Sequence, residues 1–127
     1  TYNTDKSQQA INLINDQRSE VGGALEQDKD LGNLAMEYGN EISQTKYFSH
    51  TNEGGVDSKQ RAEALGLKYS YLGENLAIGP TLEQAHNALV ESEGHRKNII
   101  SPIFTKVGVA VFDLDNGYIM LIQEFAS

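Results

Sequence analysis

An α/β/α layered sandwich around a small, mainly antiparallel sheet is the fold class that the sequence predicts, and three observations predict it. Amphipathic helical segments fill the first half of the chain, an Asn-Gly hairpin closes its C-terminal end, and the strand leading into that hairpin is apolar at odd and even positions alike. A strand apolar on both faces needs cover on both faces, which places helices above and below the sheet. With 127 residues the chain reads as a single domain, 1–127, long enough to remove about two thirds of its extended surface from water.

Residues 4–21 form the first predicted helix, with Ala10, Leu13, Ile14 and Val21 on one stripe and Gly22-Gly23 as its stop. Residues 28–46 form the second: Leu31, Leu34, Ala35, Tyr38 and Ile42 recur at steps of three and four behind an N-cap at Asp28 or Asp30. Tyr47-Phe48-Ser49-His50 then runs into a polar, glycine-containing loop. Asp57 and Gln60 have the spacing of a capping pair for a short helix through Leu65, closed by Gly66. Residues 69–78 read as a strand. Thr81 and Gln84 cap a helix that turns Leu82, Ala85 and Leu89 inward, with His86 at the margin of that stripe. Gly94 is expected to interrupt this helix before a short turn that ends at Ser101-Pro102. Residues 107–112 are the doubly covered strand, Asn116-Gly117 accepts the positive φ of a tight turn, and residues 118–125 return beside it.

One residue breaks the pattern of the 69–78 strand. Its even positions Leu72, Glu74, Leu76 and Ile78 share a face, and Glu74 alone is not aliphatic. An ionised carboxylate turned toward an apolar layer needs a partner, a metal or a proton; a bulge at Gly73 would instead re-aim it into solvent. His50, Glu74, His95 and Ser92 form the candidate catalytic set. Ser92 and His95 are three apart, so on a continuous helix they share a face, and Glu74 would orient the imidazole in a Ser-His-Glu arrangement. Alternatively, His50 and Glu74 activate a water while His95 or a metal polarises a carbonyl. The structural alternative is that these side chains only hydrogen-bond one another and hold loops on the sheet.

Composition excludes several roles. With 18 acids against 10 bases and a net charge of −8, the chain is a poor partner for nucleic-acid phosphates or anionic lipid surfaces. Without cysteine it has neither disulfides nor thiolate metal sites. No apolar run approaches the ~20 residues that span a bilayer.

Four segments, Tyr47-Phe48-Ser49-His50-Thr51, Gly73-Glu74-Asn75-Leu76-Ala77, Ser92-Glu93-Gly94-His95-Arg96-Lys97-Asn98-Ile99 and Phe104-Thr105-Lys106-Val107-Gly108-Val109, occur in the order found in bacterial CAP-superfamily (SCP-like) domains. The chain resembles them over nearly its whole length. The resemblance implies an α/β/α sandwich with a central cleft, usually on an exported protein. In animal and plant members that cleft holds two histidines and two glutamates, and its histidine pair can bind a divalent metal, often zinc. His50 matches the first histidine and Glu74 the first glutamate. Ser92 stands at the second glutamate, with Leu89 where a tryptophan precedes it, and Ile103 stands at the second histidine. His95, in Gly94-His95-Arg96, is the candidate replacement, so the resemblance implies zinc or another divalent cation held weakly by His50 and His95. The expected function is a monomeric binding module, extracellular or associated with the cell envelope after loss of a signal peptide, that takes a small ligand or peptide. A peptidase-like hydrolase using His50 and Glu74 with His95 or Ser92, and a lipid or sterol carrier, are the alternatives.

Overall fold

The computed structural model describes residues 1–127 and comprises α1 (Thr4–Arg18), β1 (Glu26–Gln27), α2 (Lys29–Thr45), α3 (Ser58–Ala64), β2 (Leu72–Gly79), α4 (Leu82–Glu91), α5 (Glu93–Ile100), β3 (Lys106–Asp113) and β4 (Ile119–Ala126). The strand order is β1-β3-β4-β2. β4 runs antiparallel to both β3 and β2, and only the short β1 is parallel to its neighbour. This is the layered sandwich with a mainly antiparallel sheet.

Side-chain parity decides which helix covers which face. Val107, Val109 and Val111 of β3 and Ile119, Leu121 and Phe125 of β4 pack against α1, α4 and α5 through Ala10, Ile14, Leu82, Leu89 and Ile99. The alternate residues Ala110, Phe112, Met120 and Ile122, with Leu76 of β2, pack against Ala35, Tyr38 and Ile42 of α2. Two glycines bring α2 very close to the sheet. A Cβ on Gly108 would overlap the backbone of Leu31 and Gly32, and one on Gly39 would overlap the ring of Phe112.

Local signals set most boundaries. The Asp28 side chain accepts from the backbone of Asp30 and Leu31 at the start of α2, and Lys46 closes that helix in the left-handed region with φ 62°. Asp57 and Gln60 form a reciprocal capping box on α3, and Thr81 accepts from the Gln84 backbone on α4. Gly66 and Gly117 take positive φ values of 76° and 87° where the chain reverses.

Tertiary contacts move several expected features. α1 ends at Arg18, and Val21 lies beyond it, 59% exposed. The inward end of that helix is instead buried Arg18, which donates to the carbonyls of Gly23, Ile99 and Ser101 and ties α1 to the end of α5. β2 begins at Leu72 rather than at residue 69. Gly94 lies inside α5; the interruption falls at Ser92, whose extended ψ of 117° ends α4 and opens α5. A helical glycine costs about 1 kcal/mol relative to alanine, which the burial of Ile99 at the far end of α5 outweighs. β1 carried no sequence pattern because both its residues are exposed; it exists through backbone bonds from Glu26 to Thr105 and from Asp28 to Val107. His86, at the margin of the α4 stripe, packs in at 5% exposed, and its Nδ1 has no partner. Burial pushes its pKa down and keeps the ring neutral.

Candidate functional site

β2 pairs residue for residue with β4, Gly73 with Phe125, Glu74 with Glu124 and Asn75 with Gln123, so Gly73 makes no bulge. Its lack of a side chain serves close packing: a Cβ there would sit 2.8 Å from the Phe104 ring and 3.0 Å from Asn98 Oδ1. Glu74 therefore keeps the inward direction set by parity, under α2 and α3, and is 8% exposed.

Both of its oxygens are engaged. Oε1 lies 3.0 Å from His50 Nδ1, and Oε2 accepts from Arg61 Nη2 at 2.7 Å. Arg61 projects from α3, and its Nη1 also donates to the carbonyls of His50 at 3.2 Å and Val56 at 3.0 Å. The guanidinium stacks 3.3 Å from the centroid of the Tyr38 ring, and the Tyr38 hydroxyl donates to the Ser49 carbonyl. Two helix-borne side chains thus fix the loop that carries His50. The His50 side chain is 55% exposed while that of Glu74 is 3% exposed, a buried anchor beneath a solvent-facing head. With Nδ1 committed to Glu74, Nε2 is the free nitrogen.

Burial pushes the Glu74 carboxyl up, but Glu124, the hydrogen bonds of His50 and Arg61 and the positive charge of Arg61 outweigh it and hold the group below its usual value. Its hydrogen bond to Glu74 raises the His50 pKa against the opposing pull of burial. Glu124, on β4 and fully buried, is pushed well up by burial first and then by its interaction with Glu74. Two carboxyls at paired positions this deep do not both ionise, so Glu124 is the protonated member and Glu74 the charged one. Neither Glu124 oxygen reaches full hydrogen-bond geometry; burial first, and then the neighbouring Glu74 charge, keep the proton there.

The signs for stability follow. The contribution of Glu74, whose pKa is depressed, is present above the ordinary carboxyl value and is lost as pH falls through its folded value. Those of His50 and Glu124, whose pKa values are raised, are present at lower pH and are lost as pH rises through their folded values. An NMR titration of the His50 ring protons is expected to give a midpoint above the ordinary histidine value, and Glu74→Gln is expected to lower it. An unchanged midpoint in the variant would disprove the pairing.

Ser92 and His95 lie on the other side of β2. Asn75 and Gln123, one residue along from the acid pair, point to the α5 face, where Asn75 Nδ2 donates to the His95 carbonyl at 3.1 Å and to Gln123 Oε1 at 3.0 Å. Asn98 Nδ2 donates to Asn75 Oδ1 at 2.9 Å. The Ser92 hydroxyl lies 2.8 Å from His95 Nδ1. The structure therefore joins His50 to Glu74 and Ser92 to His95, but makes no hydrogen bond between the two pairs. The Ser92–His95–Glu74 relay is not assembled, because the oxygens of Glu74 are occupied by His50 and Arg61.

A divalent cation does not fit this donor set. No three His, Asp or Glu side chains are placed to share an ion, His50 and His95 are held to different partners on opposite faces of β2, and the free side of Glu74 is filled by a guanidinium.

Sequence reasoning missed Arg61, Tyr38 and Glu124. An arginine on a short polar helix carries no signal, and Tyr38 had the spacing of a core residue. Glu124 did carry one: among Met120, Ile122, Glu124 and Ala126, all on one face of β4, it is the same exception as Glu74 in β2.

The model of the cysteine-rich secretory protein family, CAP, matches residues 11–125. The Bacillus subtilis protein YkwD is 34% identical over 101 residues, which cover 78% of this chain and 39% of YkwD. The structure of an outer surface protein from Borrelia burgdorferi superposes with a TM-score of 0.91 at 21% identity, covering 100% of this chain and 97% of that one. An extracellular SCP-domain protein from Bacillus anthracis superposes with a TM-score of 0.86 at 27% identity, covering 96% of this chain and 40% of that one. YkwD and the B. anthracis protein are thus each more than twice as long as the part that this chain spans. No helix here is long and apolar enough to cross a membrane. A family model that runs from α1 to β4, on a fold shared with two bacterial surface and extracellular proteins, places this chain in the cysteine-rich secretory protein (CAP, SCP-like) family.

Proposed function

We propose that this chain is an extracellular binding module that takes a small polar ligand or a peptide at His50. The observation that carries the reading is the imidazole itself: more than half exposed, yet oriented from below by a buried carboxylate whose own charge Arg61 already balances. Such a head meets a ligand in one orientation and loses little side-chain entropy in doing so. A cavity of about 280 Å³, bounded by Leu34, Tyr38, Glu41, Asn52, Val56 and Arg61, adjoins the cluster and has both apolar and polar walls. The exposed rings of Tyr47 and Phe48 precede His50 in its loop and extend the surface available to a ligand. The extracellular setting rests on the B. anthracis protein, which shares the fold at 27% identity.

A random peptide library displayed on phage, selected on the wild-type protein, tests the reading. Peptides recovered from it should bind His50→Ala at least about tenfold more weakly by calorimetry, the equivalent of ~1.4 kcal/mol. Equal affinity for both proteins would remove His50 from the binding surface. A hydrolase is the second reading, favoured by the 2.8 Å contact between Ser92 and His95. Turnover of a peptide and ester panel that Ser92→Ala abolishes and Glu74→Gln preserves would assign chemistry to that pair; no turnover would leave binding as the function.

A further inference from the structure

We propose that the cavity between the end of α1 and the end of α5 binds an organic carboxylate carried on a small apolar group, with Arg18 as its counter-ion. Arg18 is a buried cation without an acid: the residue is 5% exposed, and none of the chain's four ion pairs includes it. Its Nε and Nη1 donate to the carbonyls of Gly23, Ile99 and Ser101 at 2.8 to 2.9 Å. Both N–H groups of Nη2 are left unspent, and Nη2 is not sealed from solvent. Carbonyls at the end of a helix carry only a fraction of a negative charge, so they orient the guanidinium without neutralising it. Burial pushes its pKa down, and no neighbouring acid opposes that shift.

The space beside Arg18 suits an anion with a hydrocarbon part. Arg18 lines a cavity of about 460 Å³ together with Gly23, Ala24, Ile100, Phe104 and Thr105, a size within the range of small-molecule sites. The backbone N–H groups of Gly23 and Ala24 have no backbone acceptor within the chain, and Ile100 and Phe104 supply apolar wall. No acid lines it. The chain has 18 acids, and each of four other cavities, of about 210 to 560 Å³, is lined by at least one. Unspent donors around an uncompensated guanidinium select an anion, and the apolar wall favours an organic acid over a bare inorganic ion. The site belongs to the α1 and α5 side of the sheet, whereas Tyr38 and the His50 cluster belong to the α2 side, so it does not rest on binding at His50.

Isotope-labelled protein titrated with N-acetyl-leucine and followed by NMR tests this. The Gly23 and Ala24 amides and the Arg18 Nε–H should shift to saturation, and N-acetyl-leucinamide, the uncharged counterpart, should bind at least about tenfold more weakly. Arg18 is kept, because its removal also unties α1 from α5. Exposed Thr105 is changed instead. Thr105→Asp sets a resident carboxylate in the cavity wall and should weaken N-acetyl-leucine at least about tenfold, while the uncharged Thr105→Asn should not. A tripeptide ending in leucine with a free carboxylate distinguishes the source of the acid: tighter binding than N-acetyl-leucine assigns the site to a peptide C-terminus, and equal or weaker binding to a small free acid. No saturable shift with either acid, equal binding of acid and amide, or an unaltered affinity in Thr105→Asp would overturn the proposal. So would inorganic phosphate that binds as tightly as N-acetyl-leucine.

Discussion

Arg61→Ala is expected to lower the stability of the fold by about 3–5 kcal/mol, the usual cost of leaving one member of a buried ion pair without its partner. The size follows from what is lost together. Glu74, 3% exposed in the fold, loses its guanidinium partner at 2.7 Å, the carbonyls of His50 and Val56 lose a donor, and the face of Tyr38 loses its cation. Arg61→Lys should recover only part of the loss, because an ammonium cannot reach a carboxylate and two carbonyls while lying over an aromatic face as the guanidinium does. Chemical denaturation of the three proteins at neutral pH measures this. A loss for Arg61→Ala below about 1 kcal/mol, the range of an exposed ion pair, would show that Arg61 is not the clamp of the site.

Gly108→Ala is expected to cost at least about 3 kcal/mol, the upper range for forcing an extra group into a packed interior. The new methyl would meet the main chain of α2 at Leu31 and Gly32, not the movable end of a side chain. Relief requires α2 to lift from the sheet, and that helix carries Tyr38, against which Arg61 is stacked. The damage should therefore reach the site, seen as a His50 titration midpoint that falls back toward the ordinary histidine value. Gly94→Ala is the contrasting case. It lies within α5 with nothing within 4 Å of the added Cβ, so it should stabilise by about 0.4–1 kcal/mol through the unfolded chain. Equal melting temperatures for the two variants would refute the close approach of α2.

Much of the architecture was legible because its causes are local. The stripe from Leu31 to Ile42, the capping pairs at Asp57 and Thr81 and the Asn-Gly turn each act within a few residues, and each stands where the sequence places it. Parity in β2 likewise marked Glu74 as an acid turned inward. Signals failed where contact partners are distant. The last inward residue of α1 is Arg18 because carbonyls from α5 and the segment after it are there to receive it, and Gly94 stays helical because tertiary packing overrides propensity.

From residue order alone come the layered sandwich, the covered strands and a carboxylate at position 74 that had to be answered, since period, capping and turn chemistry are written in neighbouring residues. Which groups answer it was decided by the assembled sheet and helices. Pairing of β2 with β4 set Glu124 beside Glu74, α3 delivered Arg61, and α5, packed on the Asn75 side of β2, put Ser92 and His95 on the far face. The physical reason is that desolvation and Coulomb interaction depend on separation in space, so the charge state and partners of a buried acid are properties of the folded protein and cannot be read from its order along the chain.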